Sequence, residues 1–198
     1  MRRLTRGELY GLEAYAEARP RFRARVLAHK RRRRLELGPH LSLHFEDRLT
    51  VQYQVQEMLR AERLFEPEAV EAELKAYNPL IPDGDNWKAT LMLEYPDPAE
   101  RREALRRLVG IEDRVWVRVG GMGPVYAVAD EDLPRRTPEK TSAVHFLRFQ
   151  LDPSRVRAAR EGAPLALGVD HPAYRACCDP VPEALREALA ADLDPPAA

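Results

Sequence analysis

The chain is poor in cysteine. It has only Cys177 and Cys178, side by side. Adjacent cysteines can join only through a strained ring, and they lack the C-x-x-C spacing of a zinc or dithiol site. A disulfide framework and a zinc finger are thereby set aside, and two ordinary reduced thiols are expected. Serine stands only at Ser42, Ser142 and Ser154, with no histidine-and-acid context that marks a nucleophile. Lysine is equally scarce, at Lys30, Lys75, Lys88 and Lys140, so arginine supplies nearly all of the 32 basic side chains. No apolar run approaches the roughly 18 residues that cross a bilayer. The opening MRRLTRGEL has no apolar stretch for a signal peptide. A cytoplasmic protein without a membrane span is expected. Charge of one sign is also lacking: 32 acidic residues balance the 32 basic ones. That balance argues against a general nucleic-acid or anionic-membrane binder, which is normally basic overall. No G-x-x-x-x-G-K-[ST], no G-x-G-x-x-G after a strand and no G-x-S-x-G occurs.

What is present suits one domain, or one domain with a sizeable subdomain: 198 residues, 44% of them hydrophobic. Thr5-Arg-Gly-Glu8 reads as a capping box, followed by Leu9, Leu12 and Tyr15 at helical spacing. Arg19-Pro20 reads as the stop of that helix, and a second helix from Pro20 would carry Phe22, Val26 and Leu27. Leu41, Leu43 and Phe45 alternate with His40, Ser42, His44 and Glu46, which is strand spacing. Asp47 caps a helix to about Leu64 with Val51, Val55, Met58 and Leu59 as its apolar stripe, expected to pack on the C-terminal sheet. Glu66-Pro67 opens another, with Val70, Leu74 and Tyr77 inward. Beyond residue 88 the pattern turns to strands. Val115–Val119 and Val125–Ala129 predict a hairpin around Gly120–Gly123. His145, Leu147 and Phe149 share one strand face, so His145 is expected to be buried. Leu165, Leu167 and Val169 read as the last strand, and Pro182–Ala191 as a peripheral helix before a frayed tail. The fold expected is α+β, an antiparallel sheet packed with helices. It divides into a helix-rich part (1–80) with a short β segment, a sheet part (81–176) and a peripheral stretch (177–198).

Three groups of side chains could carry function. The first is the polar side of the Asp47 helix, where Tyr53, Glu57 and Arg60 lie at helical offsets and could orient a small polar ligand. A solvated helix face has the same pattern. The second is the histidines. On a strand His40 and His44 stand about 13 Å apart, too far for one ion. His44, Glu57, His145 and His171 would make a metal site if the fold brought them together, with iron or another transition metal as the candidate. The third is Arg31, Arg32, Arg33 and Arg34, with Arg21, Arg23 and Arg25 upstream. Arginines suit phosphate and carboxylate clamps, although a helix C-terminus attracts cations without any ligand.

The blocks AHKRRRRLELGPHLSLHFEDRLTVQYQVQEMLRAERLFE (28–66), YNPLIPDGDNWKATLMLEY (77–95), IEDRVWVRV (111–119), TSAVHFLRF (141–149) and GVDHPAY (168–174) resemble a bacterial family known as a conserved domain of unknown function. Genes of that family often lie near those for rubrerythrin-like proteins and iron–sulfur oxidoreductases. The resemblance therefore implies an accessory or binding protein of a redox or peroxide-defence system, with a rubrerythrin-like or iron–sulfur partner. It assigns no residue a role. The residues themselves leave two alternatives open: a metal-binding protein or metal-dependent enzyme using His and Glu ligands, and a nucleic-acid or acidic-partner binder through residues 21–34. Nucleic acid is the least favoured, because no aromatics interleave the arginines.

Overall fold

The computed structural model describes residues 2–194, in an α+β fold with two antiparallel sheets. The elements are α1 (Leu12–Arg31), β1 (Arg34–Glu36), β2 (Leu41–Phe45), α2 (Arg48–Ala61), α3 (Pro67–Tyr77), β3 (Asn86–Leu93), α4 (Pro98–Arg107), β4 (Val115–Val119), β5 (Val125–Tyr126), β6 (Val128–Ala129), β7 (Val144–Gln150), α5 (Pro153–Arg160), β8 (Leu165–His171), β9 (Tyr174–Cys178) and α6 (Glu183–Ala191). The first sheet has the order β1-β2-β3-β7-β6, the second β5-β4-β8-β9. Their inner faces share one core: Leu43, Phe45, Trp87 and Phe149 from the first meet Val115, Val117 and Leu167 from the second.

Strand phase follows the sequence alternation. Leu91 faces His145 and Ala89 faces Leu147 across β3 and β7, all four buried. The expected hairpin forms only in part. β4 pairs with β5 through Trp116↔Tyr126 and Val117↔Val125, but Val128 and Ala129 pair with Arg148 and Leu147 of the first sheet. The chain changes sheets at Ala127, whose N–H still donates to Val115 O at 2.9 Å. Crossing over covers the open edge of β7, which would otherwise leave backbone groups unpaired. β9 was not foreseen. It extends beyond β8 as Leu167↔Cys178 through His171↔Tyr174, so Asp170-His171-Pro172 begins a hairpin turn.

Pro20 does not stop a helix. α1 runs unbroken through it. Proline there forfeits one hydrogen bond, to the carbonyl of Ala16. Both residues are exposed, so water can satisfy that carbonyl. The Thr5–Glu8 box is present but closes only a 3-10 turn, Arg6–Glu8. Asp47 caps α2 as expected, accepting from Thr50 N at 2.9 Å.

The stripe of α2 packs elsewhere than expected. Val51, Val55 and Leu59 bury against Val70 and Leu74 of α3, with Leu4 and Ile81, and not against the sheet. The opposite flank of α2 meets α1, where Tyr15, Phe22 and Val26 pack with Leu49 and Tyr53. α6 is not peripheral. Leu185 and Leu189 join the main core, and the Trp87 indole N–H donates to Leu189 O at 2.8 Å. The expected frayed tail beyond residue 194 lies outside the described residues. No helix among them is long and apolar enough to cross a membrane.

Candidate functional site

The alternation of β7 drives His145 fully inside, 0% exposed. A buried imidazole needs partners for both nitrogens. Nδ1 stands 2.6 Å from Asp130 Oδ2, and Nε2 stands 2.8 Å from Thr141 Oγ1 and 3.2 Å from Ser142 O. Glu112, from the 3-10 turn Ile111–Arg114, places Oε2 3.8 Å from Nε2 and accepts from the Thr141 hydroxyl at 3.3 Å. Asp130 follows β6 with φ +51, a left-handed conformation that Asp tolerates better than most residues. Its backbone N–H donates to Phe146 O, while its Oδ1 accepts Phe146 N–H at 2.9 Å. Hydroxyl, imidazole and carboxylate thus stand in the order of a nucleophile relay. Thr141 is only 2% exposed, however, so no substrate reaches its oxygen in this arrangement. Nucleophilic catalysis is not what this centre offers.

The other histidines and Glu57 stay apart, each with its own partners. His44 lies on the outer face of β2, 3.1 Å from Ser42 Oγ; burial, helped by the nearby Arg34 charge, lowers its pKa. His171 Nε2 is 3.2 Å from Val109 O, and Nδ1 accepts from Ala173 N. Among the described residues the one grouping of three His, Cys, Asp or Glu donors with metal-site spacing is Glu112, Asp130 and His145. Of the four residues pooled from the sequence, only His145 belongs to it.

Glu57 faces α1. Arg19 donates to both its oxygens at 2.8 Å and the Tyr15 hydroxyl donates at 2.7 Å. Tyr53 packs on Phe22 and lies under the Lys30 ammonium, and Arg60 is exposed. Glu57 and Tyr53 therefore brace the α1–α2 contact, and the three side chains do not together line a pocket. The Arg19 hydrogen bonds, with that of Tyr15, hold the Glu57 carboxyl down at about 2, from 4.5. A lowered carboxyl pKa stabilises the fold fully above about pH 4.5, and that contribution disappears as pH falls through about 2. Glu57→Gln is expected to cost about 1–2 kcal/mol near neutrality, allowing for solvent screening of a partly exposed pair. Denaturant titrations over the acid range should show the difference vanish at the bottom of that window.

The four arginines of the block diverge. Arg31 is exposed, Arg32 reaches Glu187 of α6, and Arg34 reaches Glu94 and Glu36. Arg33 turns inward and is 3% exposed. It donates to Phe45 O and Glu46 O and pairs with Asp47 and Asp192, tying α6 to the start of α2.

Beside this junction the last turns of α1 and the first turn of α2 enclose a cleft of about 580 Å³. α1 contributes Arg25, His29 and Arg32, at i, i+4 and i+7 on one face; α2 contributes Arg48 and Gln52, at i and i+4. Asp47 is the sole carboxylate lining it, already engaged by Thr50 N, His29 and Arg33. A second groove, of about 530 Å³, runs between α3 and the outer face of the first sheet. In the first cleft Arg48 also pairs with Glu8 and Arg32 with Glu187, but neither carboxylate lines it, whereas the second groove is lined by Glu46, Asp83, Glu131 and Asp132, and Asp83 and Glu131 hold its cations. Lys88 Nζ donates to Pro79 O, Ile81 O and Asp83, and Arg148 pairs with Glu131.

No curated protein matches this chain. A crystal structure at 1.90 Å resolution, of a novel protein of unknown function from Burkholderia pseudomallei K96243, is 54% identical. The match covers 98% of this chain and 100% of that one, with a TM-score of 0.90. The model of the family described as "Protein of unknown function (DUF3501)" matches residues 3–193, and the chain belongs to that family.

Proposed function

We propose that the protein is a binding protein whose ligand is a small anion, phosphate-bearing or polycarboxylate, held in the α1–α2 cleft. One observation carries this reading: three guanidiniums and an imidazole converge on a concave surface with a single, already engaged carboxylate. Guanidinium forks match phosphate and carboxylate oxygens, and the N-terminus of α2 adds the positive end of its dipole. The volume is in the range that holds a small molecule. Work beside rubrerythrin-like or iron–sulfur partners, in redox or peroxide defence, is supported by the family resemblance alone, and a cytoplasmic place by the composition of the sequence. An acidic segment of such a partner would use the same arginines.

Calorimetric titration with pyrophosphate at low ionic strength tests the reading. The expected result is saturable binding that weakens with salt and weakens about tenfold or more in Arg25→Gln/Arg32→Gln. Both side chains are largely exposed, so the variant should fold. Binding unchanged in that variant would remove the cleft from the function.

A further inference from the structure

We infer that His145 Nε2, Glu112, Thr141 and the Ser142 carbonyl form a binding site for a divalent first-row metal ion, with Asp130 orienting the imidazole from outside. The site is independent of the anion cleft and uses side chains that have no part there.

Donor spacing is the first argument. Ligands held about 2.0–2.2 Å from one ion stand about 3–3.6 Å from each other. Around Nε2 the neighbouring oxygens stand at 2.8 Å (Thr141), 3.2 Å (Ser142) and 3.8 Å (Glu112), and Glu112 to Thr141 is 3.3 Å. These four separations lie within a few tenths of an ångström of that range.

Charge is the second. Glu112 and Asp130 are both deeply buried. Arg136 reaches the outer oxygen of Glu112 at 2.9 Å and Arg135 that of Asp130 at 3.3 Å. Each guanidinium also holds an exposed carboxylate, Asp113 or Asp132. Each guanidinium is thus shared between a buried and an exposed carboxylate, so four carboxylates face two guanidiniums and the cluster keeps an excess of two negative charges around one imidazole. Buried charges are normally paired or bound to metal. A dication balances them.

The outer contacts are the third. The 2.6 Å contact from Nδ1 to Asp130 is the carboxylate–histidine arrangement that fixes which ring nitrogen faces a metal. Asp130 holds it from a left-handed backbone, a conformation that persists when the surroundings enforce it. Thr141 is anchored by its own N–H on Leu105 O at 2.9 Å. One nitrogen among oxygens, with no thiolate, favours Mn²⁺, Fe²⁺ or Zn²⁺ over copper(I).

The test uses protein made without an affinity tag, stripped with a chelator, and titrated separately with Mn²⁺, Zn²⁺ and, without oxygen, Fe²⁺. At about a hundredfold excess over Kd the unfolding midpoint is expected to rise by about 5–10 °C with at least one ion. Glu112→Gln, which keeps shape but removes the charge, is expected to lose that rise. X-ray absorption of the loaded wild-type protein should show one imidazole in an otherwise oxygen shell, whether or not the variant folds. Absence of any rise, an equal rise in Glu112→Gln, or a shell without imidazole would overturn the site.

Discussion

Arg33→Ala is expected to destabilise the protein by about 3–5 kcal/mol, because removing one partner leaves buried charges uncompensated. Arg33 stands between Asp47 and Asp192, and its guanidinium also caps two backbone carbonyls after β2. The loss should depend on pH. Burial pushes Asp192 up to about 6 against the pull of Arg33, whereas at Asp47 the effect of burial is outweighed by Arg33, Thr50 N–H and His29. A raised carboxyl pKa means that the native state keeps a proton the unfolded chain has released. The Asp192 contribution is therefore fully present below about pH 3.8 and lost as pH rises through about 6. Without Arg33 both carboxyls ionise less readily. The deficit of Arg33→Ala should then be smaller at about pH 5 than at about pH 8. Urea titrations at the two pH values measure it, and a deficit that grows on acidification would contradict this account of the junction.

Asp130→Ala is expected to cost about 3 kcal/mol or more, from two sources. His145 Nδ1 and Phe146 N–H lose their acceptor inside the protein, each at about 1–3 kcal/mol. Alanine also tolerates the left-handed backbone at this position less well, by about 1–2 kcal/mol. Asp130→Asn keeps an amide oxygen for Phe146 N–H and keeps the backbone tolerance, so it should lose about half as much. Denaturant midpoints of the two variants separate these terms. Equal losses would mean that the charge on Asp130 carries the whole effect and that neither the acceptor for Phe146 N–H nor the backbone conformation matters.

Local patterns in the sequence translated well into structure, and long-range partners did not. Alternation placed His145 with Leu147 and Phe149 on the buried face of β7, and Asp47 was readable as the cap of α2. Pro20 misled, because the cost of one lost helical hydrogen bond depends on whether the freed carbonyl is exposed. β9 was hidden because Tyr174, Ala176 and Cys178 are a weak apolar series, only half-buried against the main core. Around His145 the sequence disclosed the histidine but none of Glu112, Asp130 and Thr141. They arrive from a 3-10 turn, a strand end and a loop, with no periodicity to link them. Arg25, His29 and Arg32 lie at i, i+4 and i+7, but the run Arg31–Arg34 drew the expected anion site and left His29 out. Completion of that stripe by Arg48 depends on how α1 lies against α2, which the aromatic contacts of Tyr15, Phe22 and Tyr53 decide.

The reading of the α1–α2 cleft as an anion site is tested most directly by anomalous diffraction from crystals grown with tungstate, a heavy oxyanion with phosphate-like geometry. The expected result is a peak in the cleft among Arg25, Arg32 and Arg48 that disappears in Arg25→Gln/Arg32→Gln. A wild-type map with no peak there, whatever appears elsewhere on the surface, would contradict it.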